Sequence, residues 1–215
     1  DDSISGGDGS DYITAGGSGD GGSDIIDGGD GFDTVSYDYT FSSAPVTFTS
    51  TASSGTQVDP LGGTDTFTGI EQLNVVGGSG ADTFTGDNLR NYIQGGGGDD
   101  TLTGGGNNDT FAYDVTKSNG IDVIADLGTG DSIQLNTAGG AFAVLTTIAT
   151  GDTTGGLTKG QVMVGALNSG YTKIYVGTDD TAGADLTIRV AGSVSAGDLS
   201  VFNDGFGGYL NYNKG

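Results

Sequence analysis

The chain has 215 residues, of which 45 are Gly and 2 are Pro, and it contains no Cys, His or Trp. Its 28 acidic and 6 basic residues give a formal charge of −22. Without Cys and His, we exclude thiolate and Ser–His catalysis, zinc fingers, iron–sulfur sites and disulfides. So few cations predict no nucleic-acid partner. The absence of a long apolar run or an N-terminal signal pattern predicts no membrane span.

The acidic residues are almost entirely aspartate, because Glu71 is the only glutamate. High charge with low hydrophobicity is also typical of disorder. The carboxylates here recur periodically, however, and Asp suits tight turns because its side chain is short. We therefore expect ordered turns of fixed geometry in an ion-loaded state.

A nine-residue repeat, G-G-x-G-x-D-x-U-x with U apolar, occurs in two arrays. The later array has contiguous copies that start at Gly77, Gly86, Gly95 and Gly104. The earlier array has copies that start at Gly6, Gly19 and Gly28, and the copy at Gly19 fits less well because it follows an insertion. Glycines in the first six positions predict a turn, and the last three positions predict a short strand.

The apolar position of each repeat is expected to point inward: Ile13, Ile26, Val35, Phe84, Ile93, Leu102 and Phe111. Two repeats then form one coil, and coils stack into an all-β parallel β-roll, a β-solenoid with a narrow apolar core. One apolar residue per repeat cannot offset the entropy of ordering the others. Stacked turns also crowd aspartates. A divalent cation would neutralise them, and an all-oxygen ligand set of variable geometry favours Ca²⁺ over Mg²⁺, zinc or copper.

These repeats resemble the RTX (repeats-in-toxin) calcium-binding nonapeptides, a family defined by this motif. The resemblance implies roughly four to eight Ca²⁺ ions, each between turns two repeats apart. It pairs the turn of Asp2 with that of Asp24, Asp11 with Asp33, Asp82 with Asp100, and Asn91 with Asp109. Asn91 offers one neutral oxygen, so its site should be weaker. The candidate ligands are Asp2, Gly6, Gly7, Gly9, Asp11, Gly19, Gly22, Asp24, Gly28, Asp30, Asp33, Gly77, Ser79, Asp82, Asn91, Gly95, Gly96, Gly98, Asp100, Gly104, Gly106, Asp109, Asp122, Asp126 and Asp131.

Two segments outside the repeats also resemble RTX proteins. Residues 37–76 form a β excursion between the arrays, and we expect Glu71 within it to be structural. Residues 112–135 resemble the cap that ends such arrays. For Asp122, Asp126 and Asp131 two readings stay open: they close the last calcium site, or they only solvate the end strand.

The predicted organisation is a first array (1–36), a connecting β segment (37–76), a second array with its cap (77–135) and a C-terminal β domain (136–215). In the last segment, strands are predicted at 142–148, 161–164, 172–176, 186–190 and 199–202. The acidic stretch 179–185 is interpreted as a polar hairpin turn rather than a calcium loop.

The resemblance implies an extracellular bacterial protein, exported by a type I secretion apparatus. One hypothesis is a non-enzymatic structural or adhesive module of a surface layer or matrix, which contacts copies of itself or the cell surface. The alternative is the non-catalytic C-terminal region of a secreted protease, lipase or lyase. A carbohydrate- or mineral-binding domain has weaker support, from scattered tyrosines.

Overall fold

The computed structural model describes residues 1–16, 22–50, 56–58, 63–136, 147–151, 157, 161–177, 186–203 and 207–214. Within these ranges the chain is all-β, with one 3₁₀ turn at Ala196–Asp198. No helix of the described residues is long and apolar enough to cross a membrane. The strands are β1 (Ser3–Asp8), β2 (Tyr12–Thr14), β3 (Ile25–Asp30), β4 (Thr34–Asp38), β5 (Thr47–Thr49), β6 (Thr56–Val58), β7 (Thr64–Thr68), β8 (Gln72–Val76), β9 (Thr83–Thr85), β10 (Arg90–Gln94), β11 (Thr101–Thr103), β12 (Thr110–Asp114), β13 (Ile121–Ile124), β14 (Ser132–Asn136), β15 (Thr147–Thr150), β16 (Gln161–Val164), β17 (Tyr171–Val176), β18 (Leu186–Ala191), β19 (Leu199–Asn203) and β20 (Gly207–Tyr212).

Short parallel strands stack on two faces. One face runs through β2, β4, β8, β10, β12 and β14, and the other contains β1, β3 and β7, then β5, β9, β11 and β13. From β1 to β4 and from β7 to β14, consecutive strands alternate between the faces, and strands one coil apart pair in parallel. This arrangement of parallel sheets is consistent with a β-roll.

The apolar position of the repeat supplies the core, as predicted. Matching apolar residues lie opposite each other along a face, as Phe84 and Leu102 do on β9 and β11. Because side chains alternate across a strand, the flanking residues point outward. All seven predicted inward residues are buried: Ile13, Ile26, Val35, Phe84, Ile93, Leu102 and Phe111.

Part of the connecting segment belongs to the same sheets as the repeats. β7 pairs in parallel with β3, and β8 lies between β4 and β10. Within the described residues of this segment, β6 is the strand that departs from the parallel pattern, because it pairs antiparallel with β7. Residues 64–76 of the predicted connecting segment thus add two strands to the stack. The sequence Asp65-Thr-Phe67-Thr explains this, because it repeats the pattern of Asp82-Thr-Phe84-Thr.

An aromatic cluster fills the core where the two arrays meet. The ring of Phe48 lies 5.2 Å from Tyr37 and 6.3 Å from Phe84, centroid to centroid. Tyr39 lies 6.5 Å from the same Phe48 ring. The junction thus buries three large aromatic side chains in mutual contact, Tyr37, Tyr39 and Phe48, in addition to the repeat residue Phe84.

The C-terminal strands add to both faces of the stack. β18 pairs with β13 on one face, and β20 pairs antiparallel with β14 on the other. The predicted strands at 161–164, 172–176, 186–190 and 199–202 are confirmed within one residue or so. The stretch 179–185 and most of 142–148 lie outside the described residues. Strand β20 was not predicted, because the glycines around it indicated a turn.

Replacing Phe48 by Ala should destabilise the calcium-loaded protein by about 3–5 kcal/mol, because it leaves a cavity in the aromatic cluster. Phe41→Ala is the matched control, since the Phe41 side chain is 81% exposed. Thermal unfolding of the two variants beside the parent protein measures the difference. Equal melting temperatures for the two variants would contradict this assignment of the core.

Candidate calcium sites

Glycine is required in the turns because their backbone adopts positive φ angles. Gly96 and Gly98 have φ of 99° and 109°, a region that side chains with a Cβ rarely enter. Asn107, which replaces a glycine of the repeat, has φ of 67°. Asn tolerates this conformation, as its sequence position predicted. The turns therefore stack with the same shape despite this replacement.

The aspartates of the repeats form ladders along the two edges of the stack. Each carboxylate accepts the backbone N–H of the matching residue one coil earlier. Asp33 accepts from Asp11 at 2.8 Å, and Asp24 accepts from Asp2 at 2.6 Å. All four pairs of turns that the RTX resemblance implied lie together; the two in the second array are Asp82 with Asp100 (2.8 Å) and Asn91 with Asp109 (2.9 Å).

The cap residues continue the second pair of ladders. Asp122 accepts the N–H of Asp100, and Asp131 accepts that of Asp109, both at 2.9 Å. Both side chains are buried, so a purely solvating role does not fit them. Asp126 instead accepts the N–H groups of Gly104 and Gly105, at 2.9 and 2.8 Å. These two hydrogen bonds connect the turn of the last repeat to the cap.

Two ladder members were missing from the predicted ligands. Asp65 accepts the N–H of Asp24, and Glu71 accepts that of Asp33, each at 2.9 Å. The signal for Asp65 is the D-T-F-T pattern that it shares with Asp82. The longer stem of Glu71 still reaches the ladder, and this contact supports the structural interpretation of that residue.

Several ladder carboxylates keep one oxygen without a protein partner. In the described residues, the Oδ2 atoms of Asp11, Asp33, Asp100 and Asp109 are buried and accept no hydrogen bond. A buried carboxylate oxygen without a partner is costly. Each ladder thus contains acceptors that the protein itself does not satisfy.

The unsatisfied oxygens face the first glycine of their own repeat. A Cβ placed on Gly6 would lie 2.6 Å from Asp11 Oδ2 and 2.5 Å from the carbonyl oxygen of Gly28 in the next coil. Only glycine leaves this space open, and oxygen atoms line it. Carboxylate and carbonyl oxygens are the ligands that Ca²⁺ prefers, and its flexible coordination tolerates such a cradle. The residues present therefore fit the predicted ion.

The cradle depends on the backbone more than on clustered side chains. No group of three or more acidic side chains converges within the described part of the chain. In each turn a single carboxylate lies beside the first glycine, so carbonyl groups must supply most ligands. The first-position glycines that line such spaces are Gly6, Gly28, Gly77, Gly95 and Gly104.

Other predicted ligands have different surroundings. Ser79 donates its backbone N–H to the carbonyl of Ser42, at 2.9 Å, so its turn packs against the connecting segment. Asp30 is exposed, and its carbonyl accepts the N–H of Gly9 at 2.8 Å. Gly7 lies within strand β1, and the turns contain Gly9, Gly22, Gly96, Gly98 and Gly106. Gly19 lies outside the described residues.

Burial raises the pKa of several ladder carboxyls in the second array and its cap. It raises the pKa of Asp100 to about 6, of Asp109 to about 7 and of Asp122 to about 8. Burial also raises the pKa of Asp82 and Asp131. Hydrogen bonds from the ladder N–H groups oppose these shifts without cancelling them. A bound divalent cation would favour the ionised forms.

Comparison with known families agrees with this geometry. The model of the RTX calcium-binding nonapeptide repeat matches four copies, in residues 1–20 and 76–111. These segments are therefore similar to calcium-binding repeats of the RTX type. No curated protein matches the chain as a whole.

The pKa shifts predict how calcium-free protein responds to pH. Between the ordinary Asp pKa of 3.8 and the raised value of about 8 for Asp122, the folded form binds more protons than the unfolded form. Its stability should therefore fall as pH rises through this window. Circular dichroism of resin-stripped protein should therefore show more β structure at about pH 5 than at about pH 8. Equal spectra at the two pH values would show that these carboxyls are not buried in the folded form.

Proposed function

We propose that the repeats form a calcium-loaded β-roll that serves as a structural or adhesive module of an extracellular protein exported by a type I apparatus. One observation carries this proposal: buried carboxylate oxygens of Asp11, Asp33, Asp100 and Asp109 have no protein partner and lie in RTX-type turns. A module with this feature gains stability from an ion that its surroundings supply.

Calcium can couple folding to location. The formal charge of −22 opposes compaction until cations bind. Extracellular calcium is far more concentrated than cytosolic calcium, so the free energy of ion binding becomes folding free energy after export. A chain that stays extended inside the cell suits passage through a secretion channel.

The outer surface of the stack supports an adhesive role. Exposed threonines Thr47, Thr83 and Thr101 lie opposite one another on β5, β9 and β11. Strands β1 and β2 are the outermost strands of their sheets, and such edges can pair with further strands. Together they offer a flat hydroxyl face and edges suited to contact with copies of the same chain or with a cell surface.

The non-catalytic region of a secreted protease, lipase or lyase is the second candidate. The C-terminal strands favour it, because β18 and β20 cover β13 and β14. A covered end suits a terminal domain that supports a separate catalytic part rather than a lattice. The two candidates differ in whether calcium drives self-association.

Calcium addition should restore β structure to the stripped chain and drive its assembly, since ion binding orders the turns that present these surfaces. Far-UV circular dichroism follows the first effect, and sedimentation velocity follows the second. Mg²⁺ at the same ionic strength is the control. Calcium-dependent folding without assembly would favour the second candidate, and an unchanged β spectrum in chelator would contradict both.

A further inference from the structure

Asn91 interrupts the rows of carboxylates with an amide. Its side chain is fully buried. The Nδ2 group donates to the carbonyl oxygens of Gly104 and Leu89, at 2.9 and 3.1 Å, and to Asp109 Oδ1 at 3.0 Å. Three oxygens thus converge on one amide nitrogen.

The amide nitrogen occupies the position that a carboxylate oxygen takes in the other repeats. A Cβ placed on Gly86 would lie 2.9 Å from Asn91 Nδ2, and one on Gly77 would lie 2.6 Å from Asp82 Oδ2. In the turns of Asp100 and Asp109, the corresponding carboxylate oxygen, Oδ2, accepts no hydrogen bond. In the turn of Asn91, the side-chain N–H groups therefore supply hydrogen-bond donors with partial positive charge, which the turns of Asp100 and Asp109 lack at this position.

A change of register accompanies this replacement. The ladder of the first array on this face ends where the backbone N–H of Asp33 donates to the Glu71 carboxylate. In the next strand pair, however, Asn91 lies opposite Leu73 rather than Glu71. The ladder of the second array therefore begins at Asn91. Its register is shifted by two residues relative to the ladder of the first array. The Oδ1 atom of Asn91 has no donor in the described residues.

The other carboxylates at the junction also have protein partners. Tyr37 donates its hydroxyl to Asp65 Oδ2 at 3.1 Å, and Ser50 donates to Asp87 Oδ2 at 2.6 Å. The backbone N–H of Gly78 donates to Asp82 Oδ2 at 3.1 Å. Among the described carboxylates, the buried oxygens without a donor thus belong to the arrays on either side of this junction.

We propose that the Asn91 amide takes the place of a calcium ion, so that the junction between the arrays is closed without metal. This inference rests on the proposed function, because it compares the turn of Asn91 with repeat turns that hold calcium under that proposal. The aromatic cluster of Tyr37, Phe48 and Phe84 adds apolar stability at the same place. The junction then provides a calcium-independent nucleus on which the flanking coils stack as ions bind.

Native mass spectrometry of the full chain in calcium tests this replacement. Asn91→Asp should bind one ion more than the parent protein, because it exchanges donors for a carboxylate. Asn168→Asp, an exposed change in a distant hairpin, adds the same charge and should bind the parent number. Equal numbers for Asn91→Asp and the parent would overturn the proposal. A parent protein that binds no calcium would overturn the proposed function itself.

A reciprocal variant covers the case in which Asn91→Asp does not fold. Asp100→Asn should lose at least one ion yet keep its β spectrum in calcium, because an amide can close that corner as Asn91 does. Hydrogen exchange of the calcium-stripped parent should also show residues 86–94 protected and residues 95–103 open. Retention of every ion by Asp100→Asn, or equal exchange in the two segments, would contradict the proposal.

Discussion

The structure depends on one repeated hydrogen bond, from a backbone N–H in one coil to a buried carboxylate in the next. The bond between Asp82 and Asp100, at 2.8 Å, is typical. Its geometry accounts for the unusual composition. Aspartate is required because its short stem holds the carboxylate in the turn, and glycine is required because the second carboxylate oxygen occupies the space of a Cβ. Among the described ladder carboxylates, the other oxygen of Asp11, Asp33, Asp100 and Asp109 has no protein partner.

Dependence on calcium follows from this bond. Each coil buries few apolar side chains, so the stack cannot tolerate unsatisfied carboxylates as a larger core could. Burial raises the pKa values of Asp109 and Asp122 to about 7 and about 8, so protons and calcium compete for the same oxygens near neutral pH. The junction differs, because Tyr37, Ser50 and Asn91 supply donors of their own. Dependence on the ion is therefore graded along the chain.

The repeat period predicted the strands, the inward residues and the pairing of turns, because one short motif encodes all three. It did not predict that Asp65 and Glu71 extend the first ladders, since the residues before them depart from the G-G-x-G-x pattern. The repeat period also did not predict the two-residue register shift at Asn91, because strand pairing across a connection of variable length is not encoded locally. Strand β20 was missed for a similar reason: its partner β14 lies far away in sequence.

Anomalous X-ray scattering from crystals grown in calcium tests the central claim most directly. The account predicts a peak beside the unpaired oxygens of Asp11, Asp33, Asp100 and Asp109, with carbonyl ligands from the adjacent glycine turns and none beside Asn91. Ordered coils whose glycine turns contain no anomalous peak would contradict it, because the carboxylates would then be stabilised by something other than the ion.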